Sequence, residues 1–308
     1  MAIDAPIAYL QRTREYYAAL GYGAPYEWAQ QADVPFTRLR KRLAQCRVTL
    51  ITTAAPYQPG KGEQGPGAPY NAAAKFYRVY SRDASVDHDL RISHLAIDRR
   101  HTTAEDQRTY FPMPALRAAA AAGRIGAVAA RFHGLPTNRS QRATREVDCP
   151  EIVTRCQADD VDAAVLAANC PVCHQSVSVA ACALEAAGIA TVVMGCARDI
   201  VERAGAPRFV FSDFPLGNAC GRPDDPASQT QTLELALGLL ESALRARTTV
   251  QSPLQWAADD DWKLDYCNID RLTSADIAAR RAKFDAAKTE AKRLRAEAAI
   301  RGTRESAG

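Results

Sequence analysis

Nowhere does the sequence contain an uncharged apolar run long enough to span a bilayer, and its first residues lack the basic segment and apolar run of a secretory leader. The nine cysteines are an odd number and are not dense over 308 residues, unlike the disulfide framework of a small secreted protein. The glycine-rich segment 60–67 has no Gly-Lys-Ser/Thr ending, which disfavours a phosphate loop. We therefore expect a cytoplasmic protein with reduced cysteines.

Outside the C-terminal tail the sequence lacks a net positive charge. The net charge is +4, but the residues from Arg271 onward contain ten Lys or Arg and five Asp or Glu, so residues 1–270 carry about −1. Without a basic face on the folded body, a nucleic-acid partner is not expected. The composition divides the chain into an aromatic-rich helical segment packed on the core (1–46), an α/β catalytic domain (47–249), and a connector with a basic helical tail (250–308).

Short apolar runs that alternate with helical segments predict the fold of the central part. Strands joined by helices of this length form parallel sheets through right-handed crossovers, and their carboxyl ends meet at one edge. We therefore predict an α/β fold with a mainly parallel, doubly wound, Rossmann-like sheet. The predicted strands cover residues 47–53, 76–80, 90–97, 125–132, 163–168, 189–195 and 208–214.

A Cys-x-x-Cys pair lies where the apolar run 163–168 meets a predicted helix start. Pro171 suits the first turn of a helix, so Cys170 falls near the N-cap and Cys173 within one turn of it. Backbone N–H groups and the helix dipole stabilise a thiolate there, and a protonated His174 would add to the effect. The spacing allows a disulfide. We predict a reversible Cys170–Cys173 disulfide in which Cys170 attacks and Cys173 resolves.

Other polar residues are predicted at the same edge of the sheet or in the loops beyond it. His133 follows a strand and is a candidate for proton transfer, as is His174. The loop 215–226 is rich in Gly and Pro, and its backbone amides and guanidinium suit an anionic substrate group. The predicted substrate-binding residues are Thr53, His94, Asp213, Gly217, Asn218 and Arg222.

Several motifs in a fixed order resemble one known family. Over residues 7–247 the chain is similar to the glycine/sarcosine/betaine reductase component B and D-proline reductase (selenoprotein B) family, especially its short cysteine-containing bacterial relatives. The motifs are Val34-Pro-Phe-Thr-Arg-Leu-Arg-Lys-Arg-Leu43 with Val48-Thr-Leu-Ile-Thr-Thr-Ala54, Asp89-Leu-Arg-Ile-Ser-His94, Tyr110-Phe-Pro112 with Gly123-Arg-Ile-Gly126, Cys170-Pro-Val-Cys-His-Gln175, and Asp213-Phe-Pro-Leu-Gly217 with Cys220-Gly-Arg-Pro223.

This resemblance implies a reductive cleavage of a carbon–heteroatom bond in a small, amino-acid-like substrate. A selenocysteine or cysteine attacks the substrate, and a neighbouring thiol then resolves the product to a disulfide; Cys170 and Cys173 match that pair. We expect no bound cofactor or metal, because the cysteine pair carries the electrons and an external thiol or thioredoxin-like donor restores it. A thioredoxin-like or reductase partner subunit and an oligomeric state are further expectations.

Two other functions are compatible with the same residues. Cysteines at two strand ends, Cys170 and Cys196, resemble the acid–base pair of a cofactor-independent amino-acid racemase. A non-catalytic redox-sensing or metal-binding module is the second alternative. Zinc is the weaker interpretation of the pair, since structural zinc usually requires a second Cys-x-x-Cys or a paired His, and the remaining cysteines are scattered singly.

Overall fold

The computed structural model describes residues 5–62, 71–94 and 96–305. Its centre is an eight-stranded sheet, and the α/β fold with a mainly parallel sheet confirms the predicted class. The strands within the described residues are β1 (Arg47–Thr52), β2 (Ala55–Pro56), β3 (Tyr80–Asp83), β4 (Leu90–Arg91), β5 (Ala127–Val128), β6 (Arg131–Gly134), β7 (Ala163–Ala167), β8 (Ala190–Gly195), β9 (Arg208–Phe211) and β10 (Thr248–Gln251).

Helices cover the sheet and connect its strands. None in the described part of the chain has both the length and the apolar character needed to cross a membrane. The helices are α1 (Tyr9–Ala19), α2 (Met113–Ala121), α3 (Gln141–Ala143), which a π-helical turn (Thr144–Asp148) joins to α4 (Cys149–Ala158), α5 (Pro171–Ala186), α6 (Arg198–Ala204), α7 (Pro226–Ser242) and α8 (Ser274–Glu305).

The strand order is β10-β9-β8-β7-β1-β6-β3. The short β5 lies outside this order and pairs with β1. β1 lies between β6 and β7 in parallel register, with Thr52 opposite Gly134 on one side and Ala167 on the other. The chain thus builds outward from β1 in both directions. In such sheets the crevice beyond the carboxyl ends, at the point where the strand order reverses, is the usual ligand site.

Three of the predicted strands differ from the structure. The run 76–80 contributes only its last residue to β3, which pairs antiparallel with β6 at the sheet edge. The run 90–97 forms only the two residues of β4, because its partner β2 is itself two residues long. The run 125–132 forms two separate strands, β5 and β6. The second of them extends beyond the predicted end to Gly134. β10 was not predicted and crosses the proposed boundary at 249/250.

A buried ion pair anchors the N-terminal segment to this core. Glu185 of α5 and Arg208 of β9 are both fully buried, with 2.7 Å between Oε1 and Nη1. The Glu185 carboxylate also accepts hydrogen bonds from the backbone N–H groups of Thr37 and Thr191, and Arg208 donates to the Thr37 carbonyl at 2.7 Å. The segment around Thr37 is therefore held by two charged groups in the interior.

The C-terminal tail is helical, as its composition predicts, and its α8 packs on the N-terminal segment. Phe284 forms edge-to-face contacts with Tyr17 and Tyr22, and the Tyr22 hydroxyl donates to Asp285 at 2.6 Å. Thus the end of α1 and the turn after it lie against the first half of α8. The division of the chain into three domains remains a prediction.

Replacing Arg208 by Met should lower the free energy of unfolding by about 3–5 kcal/mol, because it leaves the Glu185 carboxylate buried without its cation. Arg198→Met is the matched control, since Arg198 pairs with Glu202 at the surface and its loss should cost less than about 1 kcal/mol. Chemical denaturation of both variants measures the difference. Equal losses would contradict the anchoring role of the buried pair.

Candidate active site

The Cys-x-x-Cys pair lies at the start of α5, at the carboxyl edge of the sheet. Cys170 follows β7 in an extended conformation and caps the helix: its Sγ accepts the backbone N–H of Cys173 at 3.2 Å. Pro171 occupies the first turn, where its missing N–H leaves no donor unsatisfied. The sulfurs are close but not bonded, so the structure describes the reduced pair.

His94 and Thr137 complete the surroundings of the two thiols. A nitrogen of the buried His94 ring and the sulfurs of Cys170 and Cys173 all lie within 4.8 Å of one another. The Thr137 hydroxyl is 3.3 Å from the Cys173 sulfur. His94 comes from the irregular segment after β4 and Thr137 from the loop after β6. Three separate parts of the chain therefore converge on Cys173.

The two thiols have opposite tendencies to ionise. Burial raises the pKa of Cys173, but hydrogen bonding with Cys170, the charge and hydrogen bond of His94, and the Thr137 hydroxyl outweigh it and hold that pKa well below the ordinary value. Burial and the neighbouring Cys173 raise the pKa of Cys170 well above it. A low-pKa thiol agrees with the prediction. The thiol with the lowered pKa is Cys173, whereas the sequence suggested Cys170 as the attacking thiol, and the order of attack remains a prediction.

His174 is held by the backbone at both ring nitrogens. Nδ1 lies 2.8 Å from the Cys170 carbonyl oxygen, and Nε2 accepts N–H groups of Cys196 at 2.8 Å and Ala197 at 3.2 Å. Because Nε2 is the acceptor, Nδ1 must carry the proton and the ring is neutral. Burial lowers the pKa of His174 to about 4. These contacts favour a positioning role over the expected charge donation and proton transfer.

Gly195 makes this arrangement of His174 sterically feasible. A Cβ at position 195 would lie 2.5 Å from the His174 ring, closer than any side-chain carbon tolerates. The next residue of the motif, Gln175, accepts the Ala29 N–H at 2.6 Å and donates to the Tyr26 hydroxyl at 2.7 Å. The first turn of α5 therefore positions both β8 and the N-terminal segment, in addition to the thiols.

Unpartnered polar atoms lie at the same edge of the sheet. Thr53 follows β1 and Asn169 follows the neighbouring β7, and both side chains are fully buried. The Thr53 hydroxyl, both amide atoms of Asn169, and Nδ1 of His94 have no hydrogen-bond partner among the described residues. Since each such atom costs about 1–3 kcal/mol when left unsatisfied, they mark a place where a polar ligand or water belongs.

His133 does not join this cluster, which corrects the expected catalytic assignment. It belongs to β6, but its Nδ1 lies 2.8 Å from the Ser81 hydroxyl of the neighbouring β3, and its Nε2 faces Asp159 at 3.8 Å. Asp159 follows the end of α4, so the ring points into the sheet face that α4 covers. The sequence placed His133 at a strand end without indicating which face its side chain would occupy.

Asp213 and Cys196 lie beyond β9 and β8 in a neighbouring polar environment. Asp213 pairs at 2.7 Å with Lys263, which is 3% exposed and comes from the connector after β10. Burial, followed by the Asp213 charge, raises the pKa of Cys196 well above the ordinary value. This environment disfavours the thiolate that a Cys170/Cys196 racemase would require.

The loop expected to bind an anion makes other contacts. Gly217 has a φ of +111°, and its carbonyl accepts the Thr109 hydroxyl at 3.2 Å. Asn218 donates to the Thr102 hydroxyl at 2.8 Å, and Arg222 pairs with Asp225 at 2.8 Å. These contacts secure the loop and the start of α7, so the anion-binding role of the loop remains a prediction. An apolar groove along α7 also contains none of the candidate residues.

Comparison with known proteins gives one informative similarity. Over 225 residues, which are 72% of this chain and 90% of the other protein, the sequence is 29% identical to the D-proline reductase subunit gamma of Acetoanaerobium sticklandii. No family model matches the chain, and no solved structure matches it. The chain is thus distantly similar to a protein named as one subunit of D-proline reductase. The finer resemblance to glycine, sarcosine and betaine reductases stays a prediction.

Two residues near the thiols were not singled out from the sequence. Thr137 follows the carboxyl end of β6 by three residues, and Asn169 directly precedes the Cys-x-x-Cys motif. Their positions just beyond parallel strands were the available signal. His94, expected to bind substrate, lies against the thiols instead of in a separate subsite.

We expect thiolate absorbance in the ultraviolet to show a titration step below the ordinary thiol pKa of about 8.5. The step should vanish in Cys173→Ala, because the contacts with His94 and Thr137 favour that thiolate. Cys156→Ala is the control and should keep the step, since burial raises the pKa of Cys156 to about 12. Retention of the low step in Cys173→Ala would contradict the assignment.

Acid should destabilise the fold partly through His133, whose pKa burial lowers from 6.5 to about 4. As the pH falls, the unfolded chain takes up this proton first, so the stabilising contribution is complete above about 6.5 and is lost toward pH 4. His133→Asn should therefore reduce the loss of unfolding free energy over this range by up to about 3 kcal/mol. Denaturation at several pH values measures it. An unchanged pH dependence of the unfolding free energy in His133→Asn would contradict the assignment.

Proposed function

We propose that this chain is a thiol-dependent oxidoreductase that reductively cleaves a carbon–heteroatom bond of a small amino-acid-like substrate. Cys170 and Cys173 are the two-electron donor and become a disulfide. The observation that carries the proposal is the buried, reduced thiol pair at the α5 N-terminus, with unpartnered polar atoms beside it. The distant relationship to a protein named D-proline reductase subunit gamma supports the reaction class.

In the proposed reaction the Cys173 thiolate attacks the carbon, so that a sulfur–carbon bond forms and the carbon–heteroatom bond breaks. Cys170, as thiolate, then attacks the Cys173 sulfur, which forms the disulfide and releases the carbon with the bonding electron pair. The two thiol protons end on the carbon and on the heteroatom. The substrate gains two electrons and two protons, and the thiol pair loses the same number. Cys173 is assigned the first attack because its surroundings favour the thiolate.

The neighbouring residues suit specific parts of this reaction. His94 is within reach of both sulfurs, so its ring can stabilise the Cys173 thiolate and return a proton to the leaving group. Thr53 and Asn169 offer one hydroxyl and one amide to the polar groups of an amino acid. His174 acts indirectly, because its backbone hydrogen bonds fix the α5 N-terminus against β8.

An external reductant is required to return the disulfide to two thiols after each turnover. We propose a thioredoxin-like protein or a small thiol for this step, since each new cycle again takes two electrons from the thiols of Cys170 and Cys173. The relative is by name one subunit of a D-proline reductase, which supports a partner subunit for this chain as well.

The test is a single turnover of the reduced protein with D-proline and other small amino acids, without added reductant and without oxygen. Ring opening of D-proline should give a product two hydrogens heavier than the substrate, and an acyclic amino acid should give two fragments whose masses sum to the substrate plus two hydrogens. One Cys170–Cys173 disulfide should form per turnover, and mass spectrometry measures both. Cys173→Ala and Cys170→Ala should form neither. The matched variant Cys196→Ala should form both, because its thiol is not part of the pair.

Two results would contradict this function. If the reduced protein forms no disulfide with any substrate, the thiol pair does not act as a reductant. The racemase alternative would instead be supported if the substrate α-hydrogen exchanges with solvent deuterium while the substrate keeps its oxidation state. That exchange should then be lost in Cys196→Ala.

A further inference from the structure

We propose that the reduced thiols of Cys170 and Cys173, together with the His94 imidazole, form a binding site for a soft divalent cation such as Zn²⁺. The ion would have three protein ligands and one open coordination position. This inference does not depend on the proposed redox reaction, since it concerns only the donor atoms that the fold brings together. The pattern of cysteines alone argued against it, because the third ligand is 76 residues away from Cys170 in the sequence.

The donor atoms have the separation that tetrahedral coordination needs. Zinc–sulfur distances of about 2.3 Å at a tetrahedral angle place two ligand atoms roughly 3.8 Å apart. One His94 nitrogen and both sulfurs lie within 4.8 Å of one another, so an ion needs only small side-chain adjustments to reach all three. Two thiolates and one imidazole are a ligand set typical of zinc, and are unsuited to Mg²⁺ or Ca²⁺.

The position and burial of the three ligands also suit a metal site. Cys170 and Cys173 are held one helical turn apart by the α5 N-terminus, which limits their motion before the ion binds. The three side chains are at most 5% exposed. Such burial is costly for a thiolate, and a divalent cation would offset that cost directly. Binding would release the remaining thiol protons to solvent.

A second observation at the site points to a ligand. The buried Nδ1 of His94 and both amide atoms of Asn169, next to Cys170 in the chain, have no hydrogen-bond partner among the described residues. A buried ring nitrogen without a partner is a donor atom that either a cation or a water beside it could satisfy. Three protein ligands with an open position are typical of catalytic zinc, whereas structural zinc has four.

Metal binding and disulfide formation exclude each other in this site. A disulfide consumes both thiolates, so the oxidised pair leaves only His94 as a ligand. The cation would therefore bind the reduced chain alone and keep its thiols from oxidation until it leaves. Zinc would accordingly inhibit the reaction proposed above without taking part in it.

The test uses Co²⁺ added to the full, reduced chain as a spectroscopic substitute for Zn²⁺. We expect one equivalent to give the thiolate-to-cobalt charge-transfer band and the intense visible bands of tetrahedral coordination, and Zn²⁺ to displace it. Cys170→Ala, Cys173→Ala and His94→Ala should each weaken binding by more than the roughly 10–100-fold that loss of an outer-shell partner costs. Cys156→Ala should keep the spectrum and the affinity, because Cys156 lies in α4 outside the cluster.

Oxidation to the Cys170–Cys173 disulfide should abolish the cobalt spectrum, and reduction should restore it. The proposal is overturned if reduced wild-type protein gives no charge-transfer band, or if His94→Ala retains the wild-type spectrum and affinity.

Circular dichroism of each variant shows whether the fold is retained. The variant His94→Cys supplies a third sulfur ligand and should recover binding where His94→Ala does not. Failure of metal binding alongside a normal single turnover would remove this inference and leave the proposed function intact.

Discussion

The site depends on one buried imidazole that is hydrogen bonded to backbone at both nitrogens. His174 lies 2.8 Å from the Cys170 carbonyl through Nδ1 and accepts two N–H groups after β8 through Nε2. It thereby joins the start of α5 to the tip of a neighbouring strand and fixes where the two thiols lie. Gly195 is required for the same reason, because any side chain there would displace the ring. A protonated His174 would have no acceptor nitrogen for the two N–H groups after β8, so this arrangement requires the neutral ring.

Buried ion pairs surround this fixed point. The Glu185–Arg208 pair secures the N-terminal segment beneath α5, and Lys263 with Asp213 brings the connector to the carboxyl edge. Several other buried polar atoms have no hydrogen-bond partner among the described residues. Four of these atoms belong to Thr53, His94 and Asn169, at the part of the sheet edge that carries the thiols. Polar groups without partners at that place, next to groups that have them, are the physical basis for assigning a ligand site there.

The same three donor groups support the two roles that we propose. In the proposed reduction the pair would give up two electrons and become a disulfide, with His94 next to Cys173. As a cation site, it keeps both thiolates and uses His94 as the third ligand. Both roles follow from bringing an imidazole within reach of two sulfurs in a buried crevice, where solvent cannot compensate the charge. Both proposed roles begin from the reduced pair, so substrate and cation would compete for it, and the disulfide would support neither role.

The sequence alone determined the fold class, the helix start at Pro171 and the placing of Cys170 and Cys173 one helical turn apart, because these follow from local apolar runs and from spacing within one helical turn. It also brought His94 under consideration, as a residue near a strand end. Tertiary structure decided the rest. His133 turned to the face beside Asp159, Arg222 paired with Asp225, and His94 reached the thiols from an irregular segment. Side-chain direction in such segments is set by long-range packing, which no local pattern encodes.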